Sequence, residues 1–185
     1  MVFDASSRRL RVCAIRAVIL AAAAAHLAKG TTSATPLNTA IAEVRSTNPF
    51  IRALMAEAAD RSRTFRRLVE AIERSDGIVY VESGVCGHGA QACLVMSVTP
   101  AAGYRILRIL LNTHRHPWDL MESIGHELRH ALEVLDDRSL ISGADVYLFY
   151  ARESGPLDHP FETAAAINAG TAVRREIESS YMAAR

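Results

Sequence analysis

Residues 104–135 read YRILRILLNTHRHPWDLMESIGHELRHALEVL, and the change of pattern inside them decides the fold. Tyr104 to Asn112 is a short run of Tyr, Ile and Leu of the kind that forms a β-strand. Pro117 suits the first position of a helix, where its missing N–H has no partner to lose. A helix is expected from about Trp118 to Leu135. At about 100° per residue, Leu120, Ile124, Leu128, Ala131 and Leu135 gather on one side of it, and His126 and His130 lie nearly opposite. The helix thus carries a core face and a separate histidine face.

Upstream, Ile78 to Ser83 and Cys93 to Thr99 are two further runs rich in Val, Ile, Leu and Tyr. Their connections to one another and to Tyr104–Asn112 are short, and short connections favour an antiparallel meander. Before the meander, Asn48-Pro49 reads as a helix cap and first helical residue. Apolar residues then recur at Ile51, Leu54, Met55, Ala58, Phe65, Leu68, Val69 and Ile72, which predicts one long helix ending at Gly77. Downstream, helices are expected over Ala144–Arg152 and from Pro160 to about Met182, the last capped by Asp158 or His159. The order is that of an α+β domain: a small antiparallel sheet followed by the histidine-bearing helix and C-terminal helices.

The N-terminus reads differently. Arg8, Arg9, Arg11 and Arg16 face a single acid, Asp4, and an apolar run from Ala17 to Ala25 follows. Positive flank, short apolar run and small residues are the order of a bacterial-type secretory signal over residues 1–28, with cleavage after Ala25 or Ala28. The run is too short for the roughly 20 residues that span a bilayer, so no membrane span is expected after cleavage, with an uncleaved anchor or an ordinary Ala-rich helix as the alternatives. Thr31 to Pro36 is small and polar, a linker over 29–37 that leaves a single domain at 38–185. Losing four Arg and one Asp turns the formal charge from +1 to −2. A chain so nearly neutral lacks the basic excess of a nucleic-acid binder. An exported chain, periplasmic or secreted, would oxidise its remaining cysteines, so Cys86 and Cys93 are expected to form a disulfide. A Cys/His metal site using His88 is the alternative.

The histidine face holds His126-Glu127-Leu128-Arg129-His130, an HExxH motif. Histidines at i and i+4 can both reach one Zn²⁺, and the intervening Glu can take a proton from a metal-activated water. Here the chain resembles the zincin metallopeptidases, from the meander to the last helix. That resemblance implies a sheet whose edge strand pairs with extended substrate, His126 and His130 as zinc ligands, Glu127 as general base, and a third ligand from a later helix. Arg129 departs from the family, which generally keeps charge out of that position.

The third ligand separates the subtypes. Ala131 to Asp137 contains no His, so the metzincin extension is absent. A gluzincin-like arrangement needs a downstream Glu, and Glu162 fits, with an Ala-rich stretch behind it for close helix packing. His159 and Glu153 are the reserves, and Glu162 as a mere helix-dipole partner is the plainer reading. Glu133 reads as a salt-bridging or supporting residue. Tyr147, Tyr150 and His159 are candidates to stabilise an oxyanion, and His114 with His116 is either a second metal pair or a polar cap. The expectation is an exported zinc peptidase acting on peptide or protein. A zincin-shaped metal- or partner-binding domain without turnover is the alternative, and an accidental motif in a structural helical protein is the third.

Overall fold

The computed structural model describes residues 43–153 and 161–184. The signal, the linker and the expected domain start at residue 38 lie outside the described residues, as do Asp158, His159 and Pro160.

A two-residue strand, β1 (Val44–Arg45), leads into α1 (Pro49–Arg61). Asn48 caps α1 as expected, its side chain accepting from the backbone N–H of Phe50 at 2.9 Å and of Ile51 at 3.4 Å. The single long helix expected from Asn48 to Gly77 is two helices, because Ser62 intervenes. Its extended backbone closes α1 and its Oγ accepts the Phe65 N–H at 3.0 Å, capping α2 (Arg63–Glu73). The same hydroxyl donates to Glu176 at 2.7 Å, so the fully buried break is satisfied on both sides.

The sheet is mixed rather than the expected antiparallel meander. β2 (Gly77–Ser83) lies beside β5 (Tyr104–Leu111), running parallel in the register Val79↔Leu107 and Val81↔Ile109. β1 extends the sheet in parallel beyond β2. β3 (Ala92–Leu94) and β4 (Thr99–Ala101) both run antiparallel to β5, on its other side. The expected run Cys93–Thr99 is therefore two short strands around an irregular stretch. A parallel pair needs a crossover of a dozen or more residues, and the segment 84–103 supplies it: the chain passes over the end of the sheet, descends through β3 and β4, and turns back into the gap. Ala102 and Gly103, with φ of 49° and 85°, make the two-residue turn between β4 and β5. This register puts Val79, Val81, Leu107, Ile109 and Leu111, all buried, on one face.

That face packs on α2 and on α3 (Pro117–Asp136), which contributes Leu120, Ile124, Leu128, Ala131 and Leu135 to the core. Arg105, also on the inner face of β5, is 4% exposed and closes the C-terminal end of α3. Its guanidinium donates to the carbonyls of Val134, Leu135, Asp137 and Leu140 and pairs with Asp76 at 2.8 Å. A cation placed among the last carbonyls of a helix satisfies orphan acceptors and the helix dipole together.

α4 (Gly143–Glu153) and α5 (Ala164–Ala183) follow, giving an α+β fold with five α-helices among the described residues. α5 starts later than expected. Thr163, not Asp158 or His159, caps it, its Oγ1 accepting the Ala166 N–H at 3.1 Å. Cys86 and Cys93 form the expected disulfide, Cα atoms 6.0 Å apart, which removes both thiolates from any site with His88. The loop it closes is short, worth about 2.5 kcal/mol on the chain-entropy estimate. No helix among the described residues is long and apolar enough to cross a membrane.

Candidate metal centre

α3 is buried on more sides than the wheel suggested, because α5 covers its histidine face. Gly125 and Gly170 allow the approach: a Cβ on Gly125 would meet Val173 Cγ2 at 2.7 Å, and one on Gly170 would meet His126 Cβ at 3.1 Å. Ala166 and Ala169 from the Ala-rich start of α5 are buried as well.

The crossing brings three side chains together. His126 Nε2 lies 3.1 Å from His130 Nε2 and 3.0 Å from Glu162 Oε2, and His130 Nε2 lies 3.7 Å from the same oxygen. Donors bound at about 2.1 Å to one tetrahedral ion sit about 3.4 Å apart, and the three separations bracket that value. Glu162 Oε2 is itself buried and finds no hydrogen bond of acceptable geometry, although His126 Nε2 is close. A buried carboxylate oxygen without a donor is costly, and a cation among these three atoms satisfies it. His126, His130 and Glu162 are the one such group of possible metal ligands among the described residues.

The surrounding charges point the same way. Contacts with His126 and then His130 hold the Glu162 carboxyl well below the usual range against its burial. Burial alone would lower the His130 pKa, but Glu133, Glu162 and Glu127 outweigh it and push it up to about 9. A pocket that draws a proton this strongly draws a metal cation through the same charges.

Glu133 supports the group from behind. One of its oxygens lies 3.0 Å from His130 Nδ1 and accepts from Tyr150 at 3.3 Å; the other accepts from Thr163 Oγ1 at 2.7 Å. With Glu133 ionised, Nδ1 keeps its proton, so the proton that a metal ion would displace from His130 is the one on Nε2, facing Glu162. Burial raises the Glu133 pKa, but the His130 and Thr163 contacts more than reverse this. Arg129, the departure from the family pattern, is 3.5 Å from Glu133 and occupied there.

Glu127 points elsewhere, into a cleft of about 420 Å³ that it shares with His126, Glu162, Glu122, Gln91 and Ala92. It is 7% exposed and accepts the Leu94 N–H from β3 at 2.7 Å. Burial pushes its carboxyl pKa up, with His130 and His126 opposing.

Glu162 precedes α5 and its cap, so it is not an acid in the first turn of the helix. Glu153 is exposed at the end of α4 and outside the group; His159 lies outside the described residues. Tyr150 is buried with its hydroxyl donated to the His130 carbonyl at 2.9 Å and to Glu133, and Tyr147 stacks beside Phe161. Neither lines the cleft with Glu127. His116 is a cap, its Nδ1 accepting the Trp118 N–H at 3.3 Å, and neither it nor His114 belongs to a group of three or more possible metal ligands among the described residues. Gln91 is among the cleft residues the sequence did not single out, with Glu122, Ser123 and Thr171, since an amide in a loop carries no spacing signal. Comparison with protein-family models, with curated proteins and with solved structures finds no match to this chain, so the centre stands on its own geometry.

Proposed function

We propose that this chain is an exported zinc-dependent peptidase, with His126, His130 and Glu162 as the ligands and Glu127 as the general base. The observation that carries the reading is the convergence of three ligand atoms beside a buried carboxylate that opens on the same cleft. Two imidazoles and a carboxylate form a donor set suited to zinc and leave a fourth position open. Bound there, zinc supplies a Lewis acid that polarises the scissile carbonyl and acidifies a water.

The chain's own residues supply the rest. Glu127, whose carboxyl pKa is raised by burial, opens on the cleft beside His126 and Glu162, where it can take a proton from water and return it to the leaving amine. The Leu94 N–H holds one of its oxygens. The edge strand β3 supports a peptide substrate. Asn112 N donates to Gln91 O and Val95 N to Arg108 O, so by antiparallel alternation the N–H and C=O of Ala92 point away from β5. Ala92 also lines the cleft, and an extended peptide could add there as a further strand. The disulfide supports placement outside the cytoplasm.

The test is a quenched-peptide library presented to the zinc-loaded chain. Hydrolysis is expected, and Glu127→Gln should lower it by about 10²-fold or more while retaining the metal. A Glu127→Gln protein that cleaves at the wild-type rate removes Glu127 from this role. A zinc-loaded wild type that cleaves nothing leaves a metal- or partner-binding domain.

A further inference from the structure

One polar group in the cleft is used by nothing described so far. Gln91 lines the cleft with His126, Glu127 and Glu162, and its Nε2 is buried without a hydrogen-bond partner. A buried amide donor left unpaired costs about 1–3 kcal/mol, so rotation of this half-buried side chain toward an acceptor arriving in the cleft is favoured. Its backbone is fixed: Gln91 O accepts from Asn112 N at 2.8 Å, and Cys93, two residues on, is tied to Cys86. The donor therefore sits on a rigid support immediately before β3, whose Ala92 also lines the cleft.

We infer that the Gln91 carboxamide donates a hydrogen bond to a backbone carbonyl of the bound peptide, next to the strand pairing at Ala92. Like that pairing, this rests on the peptidase reading. The carboxylates Glu122, Glu127 and Glu162 are acceptors when ionised and cannot bind a carbonyl; of the donors that line the cleft, the Ser123 and Thr171 hydroxyls lie on the helices, and the Gln91 NH₂ adjoins β3. Gln91 makes the cleft selective for an extended main chain over a small acyl compound, because only a peptide reaching along β3 presents a carbonyl to it. The contact is made in the ground state as well as during reaction, so it acts on binding.

The experiment compares Gln91→Met and Gln91→Glu with the parent, the latter keeping size and an acceptor while losing the donor. The probe is a quenched peptide that the wild type cleaves. Binding of that peptide is also measured by fluorescence anisotropy in a Glu127→Gln background, which does not turn it over. Acetohydroxamate, a metal chelator with no peptide chain, is the second probe. Both Gln91 substitutions should weaken peptide binding and raise KM by about ten-fold, and in the uncharged Gln91→Met kcat and the affinities for zinc and acetohydroxamate should be unchanged. Peptide binding within two-fold of the parent in Gln91→Glu overturns the inference, and so does a fall in kcat at constant KM. If the zinc-loaded wild type neither cleaves nor binds any library peptide, the peptidase reading itself fails and takes the inference with it.

Discussion

Replacing Glu133 by alanine removes one carboxylate that holds parts of two elements of the candidate metal centre. His130 Nδ1, 3.0 Å away, loses its acceptor inside a pocket where the His130 side chain is 5% exposed. Thr163, which caps α5 and adjoins Glu162, loses an acceptor at 2.7 Å. Tyr150 keeps the His130 carbonyl, so α4 is less affected. One buried N–H left unpaired costs about 1–3 kcal/mol of stability. Freeing the orientation of a ligating imidazole typically costs 10–100-fold in metal affinity, about 1.4–2.7 kcal/mol. Glu133→Gln separates the two contributions. Its amide oxygen can still accept from His130 and its NH₂ can donate to Thr163, so geometry is kept and only charge is lost. The assay is zinc affinity by competition with a chromophoric chelator, alongside urea unfolding of the metal-free protein. Zinc affinity should fall toward 100-fold for Glu133→Ala and about 10-fold for Glu133→Gln. Affinity within two-fold of wild type in Glu133→Ala would refute the argument that this carboxylate orients the centre.

Two other predictions concern the scaffold. Arg105→Met should destabilise by about 3 kcal/mol in urea unfolding, because it orphans the carbonyls at the end of α3 and leaves Asp76 unpaired. The Arg105 hydrogen bond holds the Asp76 pKa below its ordinary value, so this stabilisation is complete above the unfolded pKa near 3.8 and is lost as pH falls through the lower folded value. Stability lost on acidification below pH 4 should therefore be smaller in the variant, and an unchanged slope counts against the pairing. Gly125→Ala gains about 1 kcal/mol in helix propensity but drives a methyl to 2.7 Å from Val173. Overpacking of about 1–3 kcal/mol should win, and adding Val173→Ala should restore part of the loss; a stabilised single variant contradicts the close crossing.

How far the sequence reveals this molecule depends on the range of the interaction. Local devices were legible: the Asn48-Pro49 helix start, the run of β5, and the Pro117 helix with its core side. The break at Ser62 was not, because Ala58 and Phe65 are seven residues apart and keep the helical period across it. Strand partners were also hidden. β2 and β5 show where strands lie, but their parallel pairing depends on where the segment 84–103 carries the chain, a non-local choice settled by burying Val79, Val81, Leu107 and Ile109 on one face. In the centre, His126 and His130 announce themselves by their spacing on one helix. Glu162 could only be proposed from its distance downstream, since its approach depends on Gly125 and Gly170 at the crossing. Glu133 was read as supporting, but its link to Thr163 joins residues 30 apart in sequence. Gln91 was invisible, because what marks it is an unpaired buried nitrogen, a property of the folded chain alone.

The central claim is that His126, His130 and Glu162 hold one zinc ion between them. X-ray absorption at the zinc edge of the metal-loaded protein tests it most directly. The account predicts one tightly bound zinc per chain with a shell of nitrogen and oxygen at about 2.0–2.1 Å, showing the scattering of two imidazoles and no sulfur. A protein that folds without retaining zinc, or a shell with sulfur or fewer than two imidazoles, would contradict it.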